Sequence, residues 1–141
     1  MRLTPLLAVL LLIAPLDASA CSWEGISEGN VARVLPDRLR DADAVVHGKV
    51  TSLKVTGTEE VAEIRVLRSY KGGAATLTVR AQPLMCGYRF TLGEEQVFFV
   101  HKGWVGIPGV EPASGWLLKA LDQVVPSPAT PNKSLERTRE R

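Results

Sequence analysis

Apolar and polar positions along the chain resolve into short strand-like runs separated by glycine-rich turns. From Asp43 to Val55, the residues Val45, Val46, Val50, Leu53 and Val55 mark a first strand, and Gly48 inside it marks a bulge or tight bend. Gly57-Thr58-Glu59 turns the chain. Ala62, Ile64 and Val66 then alternate with Glu63, Arg65 and Leu67, which predicts a second strand to Tyr70 with one buried and one mostly wet face. Lys71-Gly72-Gly73 makes the next turn, and Leu77, Val79 and Ala81 alternate with Thr76, Thr78 and Arg80 in a third strand. Gln82 to Gly87 is a loop holding Pro83 and Cys86. Tyr88, Arg89 and Phe90 follow, then a turn at Leu92-Gly93-Glu94. The continuous apolar run Val97-Phe98-Phe99-Val100 fits a fourth strand buried on both faces. Gly103 to Gly115 carries four glycines and two prolines and reads as a long loop, with Trp104 and Val105 as a possible extension of the strand before it. Gly115 to Ala120 is predicted as the fifth strand.

Two stretches before the first strand lack that alternation. Cys21 to Asn30 has no period, and its two glycines predict an irregular segment. Val31 to Asp41 is interrupted by Pro36, and Pro36 to Arg40 reads as a short helix with proline in its first turn. Five short strands with turns between them and one or two minor helices predict an all-β fold, a small barrel or sandwich.

The chain opens differently. Met1 to Ala20 has a basic Arg2, an apolar run from Leu6 to Ala14 and a small-residue Ala18-x-Ala20 site, the three parts of a secretory signal. That run is too short to span a bilayer. The expected organisation is a signal peptide over 1–20, one domain over 21–122 and a tail over 123–141, which carries three prolines and little apolar content and is expected to be disordered. The expected location is secreted or periplasmic. Net charge is only +2 in 141 residues, with Lys and Arg scattered among Asp and Glu, so nucleic acid is not an expected partner.

Cleavage after Ala20 makes Cys21 the first residue of the mature chain. The one other cysteine is Cys86. In an oxidising compartment the pair predicts a Cys21–Cys86 disulfide, worth roughly 4 kcal/mol by loop entropy. A lipoprotein signal also ends in small residues before cysteine, so acylation of the Cys21 sulfur, giving a lipid-anchored envelope protein, is the competing fate. The two exclude each other, because one thiol serves only once.

The residues around these cysteines resemble the netrin-like module of the tissue inhibitors of metalloproteinases, in particular their single-domain bacterial relatives. The resemblance rests on the post-signal Cys21, on Ala42-Asp43-Ala44-Val45-Val46-His47-Gly48-Lys49-Val50, on Tyr70-Lys71-Gly72, and on Cys86-Gly87-Tyr88-Arg89-Phe90 with Gly93 and Phe99 following. It covers roughly Cys21 to Ala120 and implies a five-stranded OB-fold barrel. It further implies that the α-amino group and carbonyl oxygen of Cys21 chelate the catalytic zinc of a partner protease, the one metal contact expected of this chain and one made in trans. An α-amino group titrates near pH ~7.7–8.0, so a useful fraction is free to donate its lone pair at neutral pH, and catalytic zinc keeps a position open for such a ligand. By the same resemblance Ser22 points toward the protease's first specificity pocket and Trp23 and Glu24 flank the contact. Trp23 stands where the inhibitors carry a second cysteine, so a second staple is missing.

Other candidates are fewer. Ile107, Val110 and Glu111 in the long loop are secondary contact residues, since long loops in small domains often bind. His47 and His101 each fall in a strand without the spacing of a metal site, and no catalytic motif accompanies them. The expectation is a monomeric, non-enzymatic protein without cofactor. It binds a protein partner, a zinc metalloprotease on the resemblance; the alternative is a non-inhibitory structural or adaptor module of the cell envelope, in contact with membrane only if Cys21 is acylated.

Overall fold

A computed structural model describes residues 24–83, 87–106 and 108–126. The order of elements is α1 (Val31–Asp41), β1 (Ala44–Thr56), β2 (Glu59–Lys71), β3 (Thr76–Ala81), β4 (Glu95–Val100), β5 (Val110–Pro112) and α2 (Gly115–Val124). The five strands form one antiparallel sheet in the order β3-β2-β1-β4-β5. The described residues are therefore mostly β with two helices. The ladders of the sheet leave β3 and β5 as edges, so the expected closed five-stranded barrel is not formed by them.

The first four strands lie where the alternation placed them. β1 and β2 are joined by the two-residue turn Gly57-Thr58, with Gly57 at φ +59° supplying the left-handed conformation the hairpin needs. Their register shifts three times, between Val45 and Val46, between His47 and Gly48, and between Val50 and Ser52. Each shift adds local twist and coils the long hairpin. At the second, a Cβ on Gly48 would stand 2.4 Å from Ile64 Cγ2 and 3.0 Å from the Arg65 carbonyl oxygen, so the two strands approach each other there as only glycine permits.

Two cores form, one on each face of the sheet. The inner face gathers Val46, Val50, Ala62, Ile64, Val79, Phe90, Phe98, Val100 and Val105. The outer face packs Val45, Tyr70, Val97 and Phe99 against Val34, Leu35 and Leu39 of α1 and Leu117 and Leu121 of α2. β4 supplies both, Phe98 inward and Phe99 outward with neither exposed, which is why its sequence shows no alternation. Full burial of each such side chain contributes roughly 1.5–3 kcal/mol.

Two expectations are corrected. Gly115–Ala120 is not a strand but the start of α2. Leu117 and Leu121 sit one turn apart and bury the same stripe, and Leu117-Leu118-Lys119-Ala120-Leu121 are strong helix formers. The fifth strand is instead Val110–Pro112, inside the stretch expected to be loop. The first helix also begins at Val31, five residues before Pro36, so the proline lies in its interior. Pro36 and Ala32 are both exposed, so the hydrogen bond that proline cannot make to the Ala32 carbonyl is lost on the solvent side of the helix. At the other end Lys71 Nζ donates to the carbonyls of Leu39 at 2.8 Å and Arg40 at 2.9 Å, fixing the C-terminus of α1 to β2.

Between β4 and β5 the chain makes a tight turn, with Lys102 at φ +51° and Gly103 at φ +79°, and His101 and Trp104 exchange both backbone hydrogen bonds across it. Trp104 then forms a parallel bridge with Arg80 of β3. Arg80 N–H donates to Gly103 O at 2.9 Å, and Val105 N–H donates to Arg80 O at 2.8 Å. This bridge links β3 to the segment leading into β5.

Candidate functional site

The first described residues, Glu24 to Ile26, belong to no strand or helix, yet their backbone is held at three points. Ile26 N–H donates to Glu111 Oε1 at 2.9 Å in a buried contact. Gly25 O accepts from Asn30 Nδ2 at 3.0 Å, and Glu24 O accepts from Arg38 Nη2 at 2.8 Å. Asn30 stands at the start of α1 but does not cap it with its side chain. Its amide turns back instead, accepting from Ser27 N–H at 2.7 Å and donating to Glu24 Oε1 at 3.2 Å. Local hydrogen bonding of this kind is what an asparagine side chain offers a loop.

Two arginines of α1 complete the arrangement. Arg33 donates to the Glu24 carboxylate, and this hydrogen bond is the chief reason that the carboxyl is held below the ordinary glutamate range. Arg38 reaches further, donating one Nη2–H to Glu24 O and one Nη1–H to Pro108 O in the loop before β5. A polar cleft of about 230 Å³ lined by Glu24, Arg33, Val34, Asp37, Arg38 and Asp41 lies on one side of that guanidinium. A second, less polar cleft of about 150 Å³ is lined by Arg38, His101, Gly106, Pro108 and Gly109.

Glu111 is 4 % exposed, and burial pushes its carboxyl above the ordinary value; the Ile26 N–H and the Arg38 charge pull the other way without cancelling that effect. Its placement follows from β5, whose pairing of Glu111 with Val97 puts both residues on the helix-covered face.

A matching contact holds the segment after Cys86. Glu60 of β2 is 2 % exposed, and its Oε2 accepts the Phe90 N–H at 2.9 Å, with Arg89 Nη1 at 3.7 Å from Oε1. Phe90 packs on Phe98, and Tyr88 meets Phe90 edge to face with centroids 5.1 Å apart. Burial chiefly, with Glu94 adding to it, pushes the Tyr88 phenol up to about 12, against the opposing hydrogen bond to Gln96. Gly87 lies so close to the preceding chain that a Cβ there would fall 1.6 Å from Gln82 O. Only glycine fits at that position.

Of the residues singled out from sequence, Cys21, Ser22, Trp23, Cys86 and Ile107 lie outside the described residues. The disulfide or acylation of Cys21 therefore lies there too. Glu24 is exposed and is paired with Arg33. Val110 is half-buried and packs against the inner core. Glu111 serves an internal contact with Ile26, because its strand turns it toward the helix-covered face. His47 Nε2 lies 3.8 Å from Glu95 Oε2, and His101 lines the smaller cleft. Among the described residues no three His, Cys, Asp or Glu side chains gather as a metal site, and no helix is long and apolar enough to cross a membrane.

Sequence reasoning missed Glu60, Asn30, Arg33 and Arg38. Glu60 alone left a signal, since it is in phase with Ala62 and Ile64 on the buried face of β2. No protein-family model matches the chain, and no curated protein matches it.

Proposed function

We propose that the mature, exported chain is a netrin-like binding domain that engages a protein partner through the segment opening at Cys21, and that it inhibits a zinc metalloendopeptidase by placing the Cys21 amine and carbonyl on the partner's metal. The observation that carries this reading is the buried hydrogen bond from Ile26 N–H to Glu111, reinforced by Arg38 on Glu24 O. Free backbone costs about 1–2 kcal/mol per residue to order on binding. Glu24, Gly25 and Ile26 have met their share of that cost in folding, which favours a chelating chain end attached to them.

An OB-type barrel is part of the same reading. The parallel bridge between Arg80 and Trp104 supports it, since it brings β3 to the segment that leads into β5. The tight seating of Gly87 and the Glu60–Phe90 contact fix the chain that follows Cys86 from Gly87 to Phe90.

The test compares two chains against a panel of zinc endopeptidases, one beginning at Cys21 and one with a single alanine placed before it. Inhibition by the first and none by the second is expected, because the extension displaces the amine from the metal. Equal inhibition by both would reject chelation. Intact mass of the exported protein reports the state of Cys21, two hydrogens lost for the disulfide or lipid mass gained for the anchored alternative.

A further inference from the structure

β4 covers only the first half of β1. Its ladder runs from Ala44 opposite Val100 to Lys49 opposite Glu95, and the turn before it reaches one residue further, where Val50 N–H donates to Glu94 O at 3.1 Å and Gly93 N–H donates to Val50 O at 2.8 Å. From Ser52 to Thr56 the strand has β2 on one side and, on the other, no described residue hydrogen-bonded to its backbone. The register tells which groups are left over. The two-residue turn closes on Thr56 and Glu59, which exchange both backbone bonds as a closing pair, so Lys54 with Val61 and Ser52 with Glu63 repeat that exchange at every second step. The N–H and C=O groups of Leu53 and Val55 therefore point away from β2. Apolar side chains border them. Leu53 is half-buried against the inner core, Val55 is in phase with it and 64 % exposed, and Leu92, in the turn docked on Val50, is 63 % exposed. Lys54 alternates to the opposite face, exposed and without an ion pair among the described residues. The acids diagonal to it on β2 are engaged elsewhere, Glu59 with Arg80 at 3.7 Å and Glu63 with Ser52 Oγ at 3.1 Å.

We propose that this edge of β1, from Ser52 to Thr56, is a strand-addition site that takes an extended segment of a partner protein carrying an acidic residue between two apolar ones. Donors and acceptors repeated every second residue along an extended strand are matched by another strand and by little else. The added strand lies in the line of β4, beyond Glu94. Its apolar side chains meet Leu53, Val55 and Leu92, and its acid faces Lys54. A second copy of this chain fits less well. Pairing about a twofold axis that satisfies all four groups sets Leu53 opposite Val55 of the copy and Lys54 opposite its own counterpart, and like charges directly opposite each other are destabilising. Lysine on an edge strand guards against pairing between copies in this way, and an acidic partner turns the same charge into attraction. The other borders of the sheet are less open, since Arg80 of β3 has its N–H and C=O taken by Gly103 and Val105, and β5 is three residues ending in Pro112. The site uses no residue of the segment after Cys21 and stands independently of the reading above.

The experiment titrates the chain beginning at Cys21, labelled for amide NMR, with three short capped peptides. One has a glutamate between two valines, the second has lysine in place of the glutamate, and the third is the first with its valine amides methylated. The glutamate peptide is expected to shift the amides of Leu53, Val55 and Gly93 and to leave those of α1 in place. Methylation weakens binding about tenfold, because backbone hydrogen bonds are lost, and the lysine peptide binds about threefold or more weakly than the glutamate one. Lys54→Glu reverses the preference between the two charged peptides while the amides of Val46 and Phe98 stay in place. Val55→Pro removes an outward N–H that no ladder uses, and abolishes binding of all three. The proposal is overturned by shifts confined to another surface, by equal binding of the methylated peptide, or by an unchanged preference in Lys54→Glu. It is overturned equally if the Leu53 and Val55 amides shift with protein concentration alone, which assigns the edge to a second copy.

Discussion

Glu60 and Glu111 perform the same act on two different segments, each accepting one backbone N–H at 2.9 Å from an irregular stretch near a cysteine. Their settings differ. Glu60 lies in a 13-residue strand laddered on both sides, opposite Val55 and Ala81, with Arg89 as a nearby counter-charge. Glu111 lies in a three-residue strand paired only with β4, and burial without an ion pair pushes its carboxyl up. The segment after Cys86 is thereby a part of the inner core. The terminal segment is attached to an edge and depends on Arg38, Arg33 and Asn30 for the rest of its order. One segment is held from the middle of the sheet and the other from its edge.

The contrast predicts a ranking. Glu60→Ala is expected to cost the most, about 3 kcal/mol, because it strands the buried Phe90 N–H and opens space under a ring packed on Phe98. Urea unfolding monitored by tryptophan fluorescence checks it. Glu111→Ala is expected to cost about 1–2 kcal/mol for the stranded Ile26 N–H. A greater loss at Glu111 than at Glu60 would break the comparison. Glu111→Gln sharpens it, since the amide oxygen still accepts from Ile26 while the buried charge is gone. With the folded carboxyl raised above its ordinary 4.5, the native state binds the proton more readily than the unfolded chain. Stability from this group is full below 4.5 and falls as pH rises through the raised value. Glu111→Gln should therefore gain on the native protein across that window and hold a constant advantage above it, as read from melting temperatures between pH 4 and 7. A gain that grows toward acid would contradict the sign. The smallest effect is expected for Arg33→Gln, which removes an exposed pairing with Glu24 and should leave the melting temperature unchanged.

Most of the sheet was legible because its signal is local. Ala62, Ile64 and Val66, or Leu77, Val79 and Ala81, announce a half-buried strand, and Gly57, Gly72 and Gly93 at positive φ mark turns that glycine favours. The doubly buried β4 was readable from four apolar residues in a row. α2 was not, since Trp116-Leu117-Leu118 viewed alone fits a strand or a helix equally. The spacing of Leu117 and Leu121 decides the matter only when the window extends past Ala120. β5 left no pattern, being three residues held by β4 inside a glycine- and proline-rich stretch. The site was less legible than the fold. Arg38 acts through its position in space, between carbonyls at Glu24 and Pro108, and nothing in the residues beside it on α1 points to either.

The claim on which the rest depends is that the chain entering the fold after Cys21 is fixed by a buried acceptor. Hydrogen exchange of the Ile26 amide in the mature chain measures this directly. The account predicts exchange slowed by about a thousandfold or more relative to an unstructured amide, and restored to near that free rate in Glu111→Ala. Exchange of Ile26 in the native protein at the rate of a free loop amide would contradict it.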